Sequence, residues 1–197
     1  MWWLDLLREA LEAHGHPWPS ALADTPRLHV ASACTGCSAE SAALTALGVD
    51  FAALSASEIV PSYRNFCDLN YPGKFLHFYS SIEEQAAGSS YKLHGFCDPL
   101  ANDGFRDTVQ VLFSGSPCDP FSQQRAKRFG DGSVASHYQF DTTMRQVCAL
   151  YMKYEPEVGV FEQVFGFTMP FVKGGTETPK QRPVVDWVGR GLQVRRF

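Results

Sequence analysis

The segment with the most chemical content is SGSPCDPFSQQ, residues 114–124. Pro117 and Pro120 fix the backbone on either side of Cys118 and remove two amide donors. A cysteine held in an open polar loop is a candidate nucleophile. A free thiol, with a pKa of about 8.5, is only a few per cent thiolate at neutral pH and needs a positive neighbour or a base. Arg125, Lys127 and Arg128, seven to ten residues further on, supply such a field in principle; the competing reading is a structural cysteine in a turn. A second reactive group stands in VGVFEQVFGF, residues 158–167, where Glu162 follows an apolar strand that should be fully buried in a sheet. A charge there costs several kcal/mol unless it is paired. Glu162 is therefore expected either to cap a helix or meet Arg125, or to be a carboxyl with a raised pKa that holds or donates a proton beside the cysteine.

A third cluster has the look of a nucleoside site. In LHVASACTGCSAES, residues 28–41, a short strand runs through small residues into a helix, and the helix N-terminus presents a positive dipole end. Glu58 follows Gly36 by 22 residues at the end of a second strand, in SEI. An acidic group about 20 residues past such a glycine turn is placed to accept ribose hydroxyls. With one glycine in CTGCSA, the loop suits a cofactor with a ribose and no phosphates better than a dinucleotide. Two other readings of CTGC stay open. Cys34 and Cys37 have the spacing of a redox pair, and His94 with Cys97 makes an HxxC that would complete a zinc site.

These groups need a scaffold that brings strand ends together. Predicted strands cover 27–33, 51–59, 74–81, 108–115 and 157–164. Between them, helical spacing follows Cys34 and closes at Gly48, and Pro61 opens a helix that Pro72–Gly73 ends. Residues 83–108 read as a polar, irregular insertion. A long helix covers 138–154, with Phe140, Met144, Val147, Cys148 and Tyr151 on one face, and PVVDWVGRG, residues 183–191, reads as a last helix. Strands alternating with helices predict an α/β sandwich around a largely parallel sheet, and the C-terminal edge of such a sheet is where sites form. Cys118 and Glu162, after the fourth and fifth strands, then reach one pocket.

The 197 residues suit one domain, and 45% hydrophobic content argues against a disordered chain. Seventeen Lys+Arg against 21 Asp+Glu leave a net charge of −4, so any contact with nucleic acid must use a local patch. No apolar run reaches about 18 residues, so no membrane contact is expected. The N-terminal MWWLDLLREALEAHGH is interrupted by Asp5, Arg8 and Glu9; it reads as an amphipathic helix with Trp2, Trp3, Leu6, Leu7, Ala10 and Leu11 on one stripe, not as a signal peptide. Six cysteines lie in apolar, periodic segments of a chain that needs no staples, which points to a reducing, intracellular compartment, the nucleus in a eukaryote and the cytoplasm otherwise.

Taken in order and spacing, SACTGCSAES, SEI, SGSPCDPFSQQ and FEQV resemble the cytosine-C5 DNA methyltransferase family over residues 27–197, with 1–26 a helix and Pro-rich connection in front. The match is residue by residue at Gly36, Glu58, Pro117–Cys118, Phe121–Ser122 and Glu162. It departs at Ser38 and Ala39, where glycines are usual, at Ser81–Ile82, where an acidic residue is usual, at Asp119 in place of glutamine, and at Gln163 in place of asparagine. The resemblance implies a Rossmann-like S-adenosylmethionine-dependent fold, a largely parallel sheet with helices on both faces. It implies cofactor contacts at Thr35, Gly36, Glu58, Ile59, Ser81, Ile82 and Pro117, and substrate contacts at Ser122, Gln163 and Arg125. Cys118 would add to C6 of a flipped cytosine while Glu162 binds its amine and N3, a chemistry that needs no metal. DNA is the implied substrate and RNA a further one. The family's later Gln-x-Arg-x-Arg motif, target-recognition domain and closing helix have no counterpart up to Phe197, so a truncated or degenerate core, completed by a further segment or second chain, is expected. A methyltransferase-like binding or regulatory protein without activity, and an unrelated Cys-dependent enzyme with His137 as its base, are the alternatives.

Overall fold

The computed structural model describes residues 2–16, 26–87, 109–130 and 132–169. The Pro-rich connection, His94 and Cys97, most of the expected insertion and the helix expected at 183–191 lie outside the described residues. Among the described residues five strands form one sheet: β1 (Leu28–Ala33), β2 (Phe51–Ser57), β3 (Phe75–Tyr79), β4 (Val111–Ser114) and β5 (Val158–Phe161). Their order is β3-β2-β1-β4-β5, and every neighbouring pair is parallel. The chain winds outward from β1 to β3, returns to β4 on the other side of β1, and so leaves a switch point between the C-terminal ends of β1 and β4.

Helices cover both faces. α2 (Ala39–Ala46) sets Leu44 against Val30, Phe51 and Ala53, and α3 (Pro61–Asn70) sets Cys67 against Ala56 and Phe78. On the opposite face, α4 (Ile82–Ala87) and α5 (Val147–Tyr154) bring Ile82, Val147, Leu150 and Tyr151 onto Ala31, Ala33, Leu54 and Leu112. Each such aliphatic side chain taken from water contributes about 1.5–3 kcal/mol. The expected helix punctuation is present. Pro61 occupies the first turn of α3, and beyond α2 the Gly48 φ of 72° lets Val49 N–H donate back to Leu44 O at 3.0 Å. α1 (Trp2–Ala13) forms as expected and buries none of its residues. Among the described residues no helix is long and apolar enough to cross a membrane.

Three expectations change. Residues 83–87 are not irregular but belong to α4: Ser81 Oγ accepts the Glu84 N–H, and Glu84 Oε2 accepts from Ser80 N–H and Oγ–H. This is a variant of the capping box in which Glu84 reaches back to Ser80 and not to Ser81, and its Ser-x-x-Glu signal stands in the sequence at 81–84. The helix expected at 138–154 contains a π-helical turn at Thr142–Gln146, which divides its apolar face. Phe140 and Met144 turn toward Phe121, whereas Val147, Leu150 and Tyr151 turn toward the sheet. Finally, among the described strands β5 lies at the edge, with Val158 and Val160 exposed, and is not the fully buried strand expected. The alternation with helices foretold a parallel sheet, but edge or centre depends on strand order, which is non-local.

Under the C-terminal edge lies a polar network that sequence reading missed. Gln85 is fully buried; its amide donates to Ser32 O at 3.0 Å and Ser55 Oγ at 2.9 Å, and accepts from Ser57 Oγ at 2.6 Å. Tyr154 O–H adds a bond to Ser55 Oγ at 2.8 Å. The serines that look merely small in LHVASA and FAALSAS tie β1 and β2 to α4 and α5.

Candidate active site

The β1 exit turns tightly. Cys34, Gly36 and Ser38 have φ of 53°, 56° and 56°, so two residues with a Cβ sit in the left-handed region, a strain of about 1 kcal/mol or more each. The turn is held by Thr35 N–H to Ser57 O at 2.9 Å and by Ser38 N–H to Thr35 O at 2.8 Å. Glu58, 6% exposed, closes it: Oε2 accepts Gly36 N–H at 2.7 Å and Oε1 accepts Val60 N–H at 2.8 Å. Arg64 clamps the same corner through the carbonyls of Glu58 and Ile59, both at 2.8 Å. Glu58→Ala should therefore lower stability by about 2 kcal/mol, because two backbone donors lose their acceptor, and Glu58→Gln by less, since its amide oxygen replaces one. A thermal melt of the two variants checks the ranking.

Two thiols at this turn, Cys34 and Cys67, are pushed toward the protonated form. Burial first, then the Glu58 and Glu83 carboxylates, push Cys34 from an ordinary 9.0 up to about 12. Burial, followed by Glu40 and smaller contributions from Cys37, Asp68 and Glu58, does the same to Cys67, up to about 12, and its Sγ lies 3.4 Å from Gly36 O. Iodoacetamide at pH 8 should modify the exposed Cys37 while leaving Cys34 and Cys67 intact, as peptide mapping would show. In the linkage, the folded chain keeps protons that the unfolded chain releases above about pH 9. The stability held by these thiols is thus fully present below that value and falls as pH rises toward about 12.

Of the expected cofactor contacts, Gly36, Glu58 and Ile59 line the corner, Ile59 being 72% exposed, and Pro117 is half-buried on the neighbouring loop. The others face elsewhere. Thr35 is buried and its Oγ–H donates to Ser32 Oγ at 2.9 Å, Ser81 Oγ caps α4, and Ile82 is a core residue, 5% exposed. Glu83, exposed on the first turn of α4, is, after Glu58, the second acidic group whose field reaches Cys34, and it directly follows Ser81–Ile82, where the resemblance leads one to expect an acidic residue.

The ends of β1, β4 and β5 converge at Gly115. A Cβ there would stand 3.8 Å from Glu162 Oε2 and 3.9 Å from Cys34 O, so the missing side chain leaves space where β1, β4 and the end of β5 meet. Gly115 N–H donates to Ala33 O at 3.3 Å, and Glu162 N–H to Ser114 O at 2.9 Å. Glu162 itself is exposed, so the burial inferred from its strand does not hold; its β5 is the sheet edge. Gln163 acts as a clamp, donating to Ser116 O at 2.9 Å, Ser116 Oγ at 3.1 Å and Pro117 O at 3.3 Å. Thr143 Oγ–H, from the π turn, donates to Pro117 O at 3.3 Å. The half-buried Cys118 follows directly, and its carbonyl accepts the amides of Phe121 and Ser122, both at 2.9 Å. Ser122 Oγ accepts Gln124 N–H at 3.3 Å.

The cations go elsewhere than expected. Arg125 neither meets Glu162 nor turns to the cysteine; its Nη2 donates to Pro120 O and Ser133 O, both at 3.2 Å, and so braces the loop. Arg128 is fully buried, with Nε to Phe121 O and Nη2 to Gly166 O, both at 3.1 Å; burial, then Arg125, lowers its pKa. Cys34, Cys37, Cys67, Cys118 and Cys148 are free thiols, and among the described residues no group of three His, Cys, Asp or Glu could hold a metal. His94 and Cys97 of the zinc reading lie outside the described residues. No protein-family model and no curated protein matches the chain.

Proposed function

We propose that the chain is a cytosine-C5 methyltransferase core that acts on DNA inside the cell, with Cys118 as nucleophile, Glu162 as its partner and S-adenosylmethionine as methyl donor. The observation that carries this reading is the convergence at Gly115: a carboxylate and the start of a Pro-Cys loop share an open space with the strained β1 turn at a sheet switch point. Bound there, the cofactor supplies an electrophilic methyl group. Gly36, Glu58 and Ile59 are the residues that fit it, an acceptor-rich corner beside an exposed apolar side chain.

The resemblance assigns the work of the chain's own residues. The Cys118 thiolate adds to C6 of the cytosine, forming a C–S bond, breaking the C5=C6 π bond and sending its electron pair over C5, C4 and N3. Glu162 holds the exocyclic amine and N3, where charge develops. C5 thereby becomes the nucleophile. Loss of the C5 proton after methylation drives the C–S bond open and returns the thiolate. The cytosine must leave its stack to reach a loop on the sheet edge.

A second reading, a methyltransferase-like binding protein without activity, draws on the inward-turned Thr35 and Ile82 and on the Glu58 oxygens already engaged by backbone amides. Substrate DNA carrying 5-fluorocytosine separates the two, because fluorine replaces the proton whose loss releases the enzyme. A denaturation-resistant adduct that requires S-adenosylmethionine supports the enzyme; cofactor binding without an adduct supports the binding protein. The same oligonucleotide as RNA tests the other substrate.

A further inference from the structure

Beyond the Pro-Cys turn, the chain folds back to form an open groove of about 830 Å³, whose lining includes Arg125, Lys127, Phe129, Ser133, His137 and Tyr138. That volume holds a nucleotide-sized ligand. None of the described lining residues is acidic, although the chain as a whole carries −4; Asp131 lies outside the described residues. Arg125 is only partly satisfied, with Nη2 on two carbonyls and a buried Nε that has no hydrogen-bond partner. Lys127 is exposed. Tyr138 is 82% exposed, and His137 lies stacked on one of its faces, ring centroids 4.8 Å apart and planes 26° from parallel. Gln139 N–H donates to His137 Nδ1 at 3.3 Å, so the neutral imidazole carries its proton on Nε2, a donor. One face of Tyr138 is thus backed and the other is open, a preset aromatic platform beside two cations.

We propose that this groove binds a single-stranded stretch of nucleic acid next to the target cytosine, with one base stacked on the open face of Tyr138 and the adjoining phosphates held by Lys127 and Arg125. The proposal rests on the methyltransferase reading only in that this reading brings a nucleic acid to the same loop. The chemistry of the groove, stacking plus backbone neutralisation, is what sequence-tolerant single-strand binding requires.

The test is fluorescence anisotropy of the whole chain with a labelled oligodeoxycytidine 12-mer, beside its ribo counterpart, which assigns the sugar. Tyr138→Ala should weaken binding by about tenfold or more, and Tyr138→Phe should restore it. Lys127→Gln should reduce the slope of log K against log salt by about 0.7, the share of one phosphate on a single strand. Both side chains are exposed, so the fold does not depend on them. No binding by the wild type, or equal binding by Tyr138→Ala, overturns the proposal. Its failure is separable from that of the enzymatic reading. Tyr138-dependent binding without any 5-fluorocytosine adduct leaves the groove standing and removes the Cys118 chemistry. An adduct formed equally well by Tyr138→Ala does the reverse.

Discussion

Cys118→Ala should abolish the 5-fluorocytosine adduct completely while leaving the fold intact. The carbonyl of Cys118, not its thiol, receives the amides that shape the turn, so alanine keeps both bonds. Glu162→Gln should form the same adduct about 10²–10³-fold more slowly, since an amide still reaches the amine and N3 but no longer stabilises the charge that builds there. Gly115 leaves room for either side chain at 162. Rates of adduct formation on a denaturing gel, at saturating S-adenosylmethionine, measure both effects. The opposite pattern, loss in His137→Ala with Glu162→Gln tolerated, would make the protein a Cys–His enzyme of another kind.

The second large effect concerns the clasp that anchors the loop. A Cβ on Gly166 would fall on the Phe121 carbonyl oxygen and come within 3.1 Å of its carbon, so Gly166→Ala forces two backbone segments apart. Arg128 crosses the same contact, bonding the carbonyls of Phe121 and Gly166 and lying over the Phe129 ring with its guanidinium carbon 5.3 Å from the centroid. Gly166→Ala and Arg128→Met should each destabilise by about 3 kcal/mol, the first by overpacking, the second by removing the guanidinium from the Phe121 carbonyl and leaving the Gly166 carbonyl with the Met169 amide alone. Arg128→Lys should not restore stability, because an ammonium lacks the planar fork that spans two acceptors. Thermal melts should drop by roughly 6–12 °C, and limited proteolysis should cut first between 119 and 138. Since Phe121 packs on Phe167 with centroids 4.9 Å apart, the clasp is a small core of its own under the Cys118 loop.

Much of this was readable in the residues. Prolines at 117 and 120 announced a stiff turn because proline acts on its own backbone, and the alternation of apolar segments announced a parallel α/β sheet. Glu58 was found by its distance from Gly36, although its oxygens hold Gly36 and Val60 amides, a role its spacing does not disclose. The features that escaped reading depend on partners far away in sequence. The exposure of Glu162 follows from β5 lying at the sheet edge, and the inward turn of Ile82 follows from the phase of α4 over Leu54 and Ala33. Arg125 was expected to act on Cys118 or Glu162 by charge, but two carbonyls of its own loop hold it away from both. The cap of α4 is different: its signal, Ser81 with Glu84, is local.

The π-helical turn at 142–146 also decides how this stretch tolerates a change in length. One residue more than an ordinary turn rotates the segment on its N-terminal side by roughly 100° relative to the segment on its C-terminal side. The turn is therefore a phase adjuster: it lets Phe140 and Met144 serve the clasp and Thr143 reach Pro117 O, while Val147, Leu150 and Tyr151 stay on the sheet. A graft of this helix between related scaffolds has to be matched by rotation, because an α-helix of equal length would present the wrong side to one of its two partners.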